Sequence, residues 1–160
     1  MSAICLIDTS VFLNMINVPN KNQDKVKISS DFIDYCELGT TFILPMATLF
    51  ETGNHIAQNG DGQIRRRTAK RFVDTVIESF TGKNPWKLSG FLNKKDITEW
   101  IGTFPDMAMR NKAPDKPNEG ISFGDLSIIK EYEKCLKKCY MSEIFIWSLD
   151  SDLAAYHHRP

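Results

Sequence analysis

The chain has 160 residues, 42% of them apolar and 25% charged, with Lys and Arg matching Asp and Glu at 20 each. That length suits one ordinary domain with a sizeable core, and no apolar stretch approaches the ~20 residues needed to cross a bilayer, so a membrane partner is excluded. Net charge points to no partner, and Cys5, Cys36, Cys135 and Cys139 are too scattered for a disulfide framework; they read as free thiols of a reducing, cytoplasmic environment. Cys135 and Cys139 stand one helical turn apart, but no second Cys/His pair completes a zinc site.

No basic segment precedes the first apolar run, Ala3 to Ile7, so it reads as core and not as a signal peptide. Short and aliphatic, it suits a strand buried on both faces of a parallel sheet. It ends on Asp8-Thr9-Ser10. In open parallel sheets the active crevice lies outside the carboxyl ends of the strands, which makes Asp8 a candidate for chemistry. Capping of the next helix accounts for the same three residue types equally well. Val11, Phe12, Met15 and Ile16 then recur at helical spacing as far as Val18-Pro19-Asn20, and a polar loop follows. Val26, Ile28, Phe32, Ile33, Cys36 and Leu38 suggest a second helix closed by Gly39, and Thr41 to Leu44 a short strand.

Pro45 opens a helix with Met46, Leu49, Phe50, Gly53 and Ile56 on one face and Thr48, Glu51, Thr52 and His55 on the other. Glu51 is carried about two turns beyond the strand end, where it leans over the same crevice as Asp8. His55 either orients Glu51 or a phosphate, or stands in solvent. After the break at Asn59 to Gly62, Ile64, Ala69, Phe72, Val73, Val76, Ile77 and Phe80 make an amphipathic helix. Its polar face carries Arg65, Arg66, Arg67, Lys70 and Arg71; Lys130, Lys134, Lys137 and Lys138 form a second basic group. Each is a phosphate-gripping surface or a solvated helix face.

Residues 81–90 read as loop around Pro85-Trp86, Lys94 to Phe104 as helical, and Pro105 to Gly120 as a Pro-rich charged passage. Together, at about 81–120, they form a helical or loop elaboration without a strand pattern, bordering the cleft. Trp86, Phe91 and Trp100 either stack on bases or form local core. Phe123-Gly124-Asp125 begins a long helix with an apolar stripe through Leu126, Ile129, Tyr132 and Leu136. Asp125 in its first turn is favoured by the helix dipole by about 0.3–1 kcal/mol. Ile144 to Trp147 is another central strand, and it too ends on small hydroxyls and acids, Ser148 to Asp152. Leu153 to His158 reads as a short terminal helix.

Asp8, Glu51, Asp125 and Asp150 all map to one edge of a parallel sheet. Carboxylates 4 Å apart repel by about 4 kcal/mol per pair at an effective dielectric of 20, and folding alone does not select such a cluster. A hard divalent cation does, because Mg²⁺ or Mn²⁺ takes oxygen ligands and bridges to phosphate.

The residues Leu6-Ile7-Asp8-Thr9-Ser10, Glu51 in PMATLFETG, Asp125 in FGDLSII and Asp150 in IWSLDSDLAAY resemble the PIN domain of metal-dependent ribonucleases, a family that includes the toxins of many bacterial toxin–antitoxin pairs. The resemblance implies one PIN-like domain over 1–160, a three-layer α/β/α sandwich with a central parallel sheet of four or five strands. It implies one or two Mg²⁺ or Mn²⁺ ions and hydrolysis of RNA by metal-activated water. Asp8, Glu51, Asp125 and Asp150 would be the core acids, with Asp152 as helper. Ser10 or Thr9 would hold Asp8 by hydrogen bond, Ser148 would act near Asp150, and Arg65 to Arg71 would grip RNA phosphates. An antitoxin protein and a homodimer are the partners such a toxin implies.

Other readings need different residues. The haloacid dehalogenase pattern requires an Asp two residues after Asp8, where Ser10 stands, and a receiver domain requires an Asp after a middle strand, where Pro45 stands. A catalytically inactive PIN-like module that binds RNA or protein is the remaining alternative.

Overall fold

The computed structural model describes residues 3–160; Met1 and Ser2, part of the expected 1–160 domain, lie outside the described residues. In chain order the strands are β1 (Ile4–Ile7), β2 (Thr41–Leu44), β3 (Trp86–Leu88), β4 (Asn111–Ala113), β5 (Lys116–Gly120), β6 (Ile144–Trp147) and β7 (His157–His158). Five of them form one sheet in the order β3-β2-β1-β6-β7, parallel except for β7, which runs antiparallel to β6. β4 and β5 form a separate antiparallel hairpin. The chain is therefore α/β with a mostly parallel central sheet.

The helices are α1 (Thr9–Met15), α2 (Lys25–Glu37), α3 (Met46–Ala57), α4 (Gly62–Phe80), α5 (Lys94–Trp100), α6 (Phe104–Met109), α7 (Phe123–Lys138) and α8 (Ser151–Ala154), with a single 3-10 turn at Ile101–Thr103. Side chains alternate across the pleat, so each strand feeds two cores. Cys5, Ile7, Phe42, Leu44, Phe145 and Trp147 pack with Val11 and Phe12 of α1, Ile28 and Phe32 of α2, and Phe72 of α4. Leu6, Ile144 and Ile146 pack instead with Ile128, Ile129 and Tyr132 of α7 and Leu153 of α8. Helices thus cover both sheet faces, which is why the central strands read as continuous apolar runs. None of the described helices is long and apolar enough to cross a membrane.

From β1 the chain adds strands outward through β2 to β3, then returns to lay β6 along the other side of β1, in register from Ile4 opposite Ile144 to Ile7 opposite Trp147. The strand order reverses between β1 and β6, and their carboxyl ends open a crevice there. The turn into β2 follows the expected route. Gly39 at φ 69° ends α2, with its N–H on the Cys36 carbonyl and the Thr40 N–H on that of Tyr35, a complete Schellman cap.

Several elements differ from the sequence expectation. The stretch read as loop around Trp86 is β3, a parallel strand beside β2; three residues are too few to display alternation, and Trp86 packs edge-on against Phe12. The 81–120 elaboration contains the β4–β5 hairpin, invisible as strand because β5 is Lys-Pro-Asn-Glu-Gly and largely exposed. The expected helix over 153–158 stops at Ala154, and His157–His158 pairs with β6. Val26 and Ile33 of α2, and Val73, Ile77 and Phe80 of α4, are exposed despite fitting the apolar stripes. On α3, Ile56 and Leu49 face the core as expected, but Thr48 and Thr52 are fully buried and Phe50 is exposed, against the expected faces. The Thr48 hydroxyl donates to the Ile7 carbonyl at 2.9 Å, giving a polar side chain a partner at the end of β1.

Candidate functional site

Asp8, Glu51, Asp125 and Asp150 line one cavity of about 520 Å³ at the carboxyl edge of the sheet, together with Thr9, Ser10, Lys21, His55, Lys112 and Ser122. Asp8 leaves β1 as the N-cap of α1, its side chain accepting the Ser10 N–H, so the capping and site readings of this residue hold together. Three donors converge on its Oδ2: the Ser10 N–H at 3.2 Å, the Ser10 hydroxyl at 2.7 Å and the Ser148 hydroxyl at 2.8 Å.

The hydroxyls have little choice. The Ser10 oxygen accepts the Leu149 N–H at 3.0 Å and the Ser148 oxygen accepts the Asp150 N–H at 3.0 Å, which turns both hydroxyl protons towards Asp8. Ser148 therefore holds Asp8, not Asp150 as expected, and the exits of β1 and β6 are locked together through one carboxylate oxygen. Thr9 serves a different acid: its hydroxyl donates to Glu51 Oε2 at 2.7 Å.

Glu51 stands on α3 facing the start of α7, where Ser122 caps the helix by accepting the Asp125 N–H at 3.0 Å. Gly124 leaves room at this approach: a Cβ there would push the Glu51 carboxylate from its present position. The glycine lets the first turn of α7 bring Asp125 beside Glu51. Burial pushes the Asp8 carboxyl above its ordinary range, against the hydrogen bonds from Ser10 and Ser148. Burial also raises Glu51, opposed by Thr9 and reinforced by the charges of Asp125 and Asp8. Both acids are in surroundings that a positive charge would relieve.

Part of that charge comes from the β4–β5 hairpin. Lys112 Nζ lies 2.9 Å from Asp125 Oδ2, an ion pair by distance although not aligned as a hydrogen bond. Lys116 Nζ donates to Asp150 Oδ1 at 2.8 Å. Burial alone pulls the Lys112 ammonium down, but Asp125 beside it, with Asp152 and Asp150, outweighs this and raises its pKa. Sequence reasoning missed both lysines, since in a Pro-rich charged passage they carry no signal that separates them from solvated loop residues. Gly124 was legible only as part of the Gly124-Asp125 pair.

Asp152, expected among the metal acids, is not in this cavity. It lines a smaller pocket behind Lys112 with Ile129 and Tyr156, because the first turn of α8 carries it away from Asp150. Its Oδ1 is buried without a hydrogen-bond partner. His55 does line the acid cavity; burial and then the Lys21 charge lower its pKa, which favours the neutral ring. The basic face of α4 contributes no lining residue. Arg65 bonds the Asn59 carbonyl, Lys70 pairs with Asp74 at 2.9 Å, and Arg71 reaches the Asn17 carbonyl at 2.9 Å; no bond of Arg66 or Arg67 ties that face to the acids. Of the aromatic residues weighed for base stacking, Trp86 and Trp100 are buried core and Phe91 is exposed.

The donor set suits a hard cation. Every acid offers oxygen, and Asp8 and Glu51 are each held through one oxygen with the other left over, whereas Asp125 Oδ2 already lies beside the Lys112 ammonium. Among the described residues, however, no three acidic, His or Cys side chains are already drawn together as a metal group. Lys112 and Lys116 each pair with one of the acids. A second cavity, about 470 Å³ beside Tyr35, Phe145 and Arg159, gathers no comparable set of acids from separate strand ends. Comparison with family models, with curated proteins and with solved structures returned no match for this chain.

Proposed function

We propose that the chain is a metal-dependent endoribonuclease with a PIN-like α/β/α sandwich, hydrolysing RNA phosphodiester bonds at the acid cavity. The observation that carries this reading is the convergence of Asp8, Glu51, Asp125 and Asp150 on one cavity where the strand order reverses. Asp8 and Glu51 would hold Mg²⁺ or Mn²⁺, with Asp125 and Asp150 on the same rim, each beside a lysine. The bound ion would supply a Lewis acid that lowers the pKa of water and offsets charge on the phosphate.

The protein's own groups do the rest. Ser10 and Ser148 fix the Asp8 carboxylate in one orientation, so no reorganisation is needed as charge develops. Glu51, tethered only through Thr9, presents its other oxygen to the ion. Lys21 on the cavity wall gives a positive contact for a neighbouring phosphate, and the arginines of α4 extend a basic surface for RNA beyond it. A toxin role, with an antitoxin partner, a homodimer and a cytoplasmic setting, belongs to the same proposal.

A second reading, an inactive PIN-like module binding RNA or protein, is favoured by one observation: lysines already neutralise Asp125 and Asp150. RNA cleavage with Mg²⁺ or Mn²⁺ separates the two. Asp8→Asn keeps a capping side chain but removes the charge, and it should lower the rate at least ~10²-fold while leaving the melting temperature close to wild type. Cleavage indifferent to Asp8→Asn, or to chelation, would overturn the nuclease reading.

A further inference from the structure

We propose, resting on the ribonuclease reading, that Lys112 and Lys116 bring to the cavity the positive charge a second divalent cation would otherwise supply, so that the site takes one cation and not two. Both lysines come from one hairpin and each meets a different acid, Lys112 with Asp125 and Lys116 with Asp150. The Lys112 side chain is only 13% exposed, and an ammonium so enclosed persists where it is paired. Five acids line the cavity, Asp8, Asp24, Glu51, Asp125 and Asp150; Lys21 and Lys112 line it as well and Lys116 pairs with Asp150, so five negative charges meet three positive ones and leave a deficit of two that one divalent ion fills.

The position of that ion follows from which acids lack a cation. Asp125 and Asp150 have theirs. Asp8 and Glu51 have only hydroxyl and amide donors, all on one oxygen of each carboxylate. A lysine ammonium has three donors on a compact charge, so one engaged with a carboxylate retains two for a non-bridging phosphate oxygen. The hairpin is also docked firmly. A side chain at Gly120 would collide with the Ala108 carbonyl of α6, and β4 packs on α8. The lysines are therefore presented by a seated element and not by a free loop.

Titration of the full chain with Mn²⁺ alone, followed by calorimetry, tests this without reference to activity. Wild type should bind one ion per chain, Lys112→Arg one, and Lys112→Met/Lys116→Met two, with circular dichroism confirming that each folds. If the double variant does not fold, Lys112→Met alone should still admit a second ion. In RNA cleavage the rate should rise with the first power of Mn²⁺ concentration in wild type and with a steeper dependence in the lysine-free variant. Two ions on wild type, or one on the lysine-free variant, would overturn the lysine inference and leave the nuclease reading standing. No ion on any of these proteins would overturn the nuclease reading itself.

Discussion

The two walls of the acid cavity are built in opposite ways. One wall is the paired exits of β1 and β6, where buried aliphatic strands in register end in two serines whose protons are both committed to Asp8. The other is the β4–β5 hairpin, largely exposed, which reaches the acids through the ends of two lysine side chains. The first wall places a carboxylate by packing and by hydrogen bonds worth about 1 kcal/mol each. The second adjusts charge through an enclosed pair, Lys112 with Asp125, and a part-exposed one, Lys116 with Asp150, whose pairing adds little to stability. Geometry is thus held by the core, and electrostatic balance by an attachment to it.

Substitutions on the two walls should differ accordingly. The largest effect is expected at Leu6, fully buried between Ile43 and Ile146: Leu6→Ala should cost about 2–5 kcal/mol in denaturant unfolding. A cost below about 1 kcal/mol, the range of a tolerant surface site, would erase the contrast.

A buried acid away from both walls should give an intermediate effect. Glu131 on α7 is buried, accepts the Ser89 hydroxyl at 3.1 Å, and through that serine touches the Met46 N–H at the start of α3. Burial pushes its carboxyl up to about 7, against the Ser89 hydrogen bond and the Lys134 charge. Because the folded pKa is raised above the ordinary 4.5, this group's stabilisation is full below pH 4.5 and is lost as pH rises through 7. Glu131→Gln should therefore be more stable than wild type at pH 8, by something on the order of 2 kcal/mol, and should show little gain at pH 4. A thermal-melt series across that range reads the difference directly, and parallel curves would rule the effect out.

The smallest effect belongs to the hairpin. Lys116→Ala, at a pair whose side chains are both about one-third exposed, should lower stability by less than about 1 kcal/mol. A loss comparable to that of Leu6→Ala would mean that the hairpin is part of the core.

What the sequence disclosed follows the same division. β1, β2, β6 and the acids at their ends were legible because strands buried on both faces must be apolar throughout, and a carboxylate interrupting such a run stands out. The faces of α3 were not. Thr48 looks like a solvent residue until the Ile7 carbonyl supplies a partner for its buried hydroxyl, and Thr52 is buried one turn on with its hydroxyl unpartnered. Asp152 reads as equivalent to Asp150, yet two positions of helix rotate it out of the cavity. β3 and the hairpin escaped notice because strands of three to five residues, one containing Pro117, lack the length or alternation that signals a strand. The lysines could be found only once that hairpin was folded against the acids.

Both margins of the sheet are very short. β3 offers three residues and β7 two, the latter tied down by the His157 contact with Glu143 at 2.6 Å. An exposed edge invites another chain to continue the ladder, and here there is almost no ladder to continue. Fibril-like stacking of copies through either margin of the central sheet is disfavoured by that brevity.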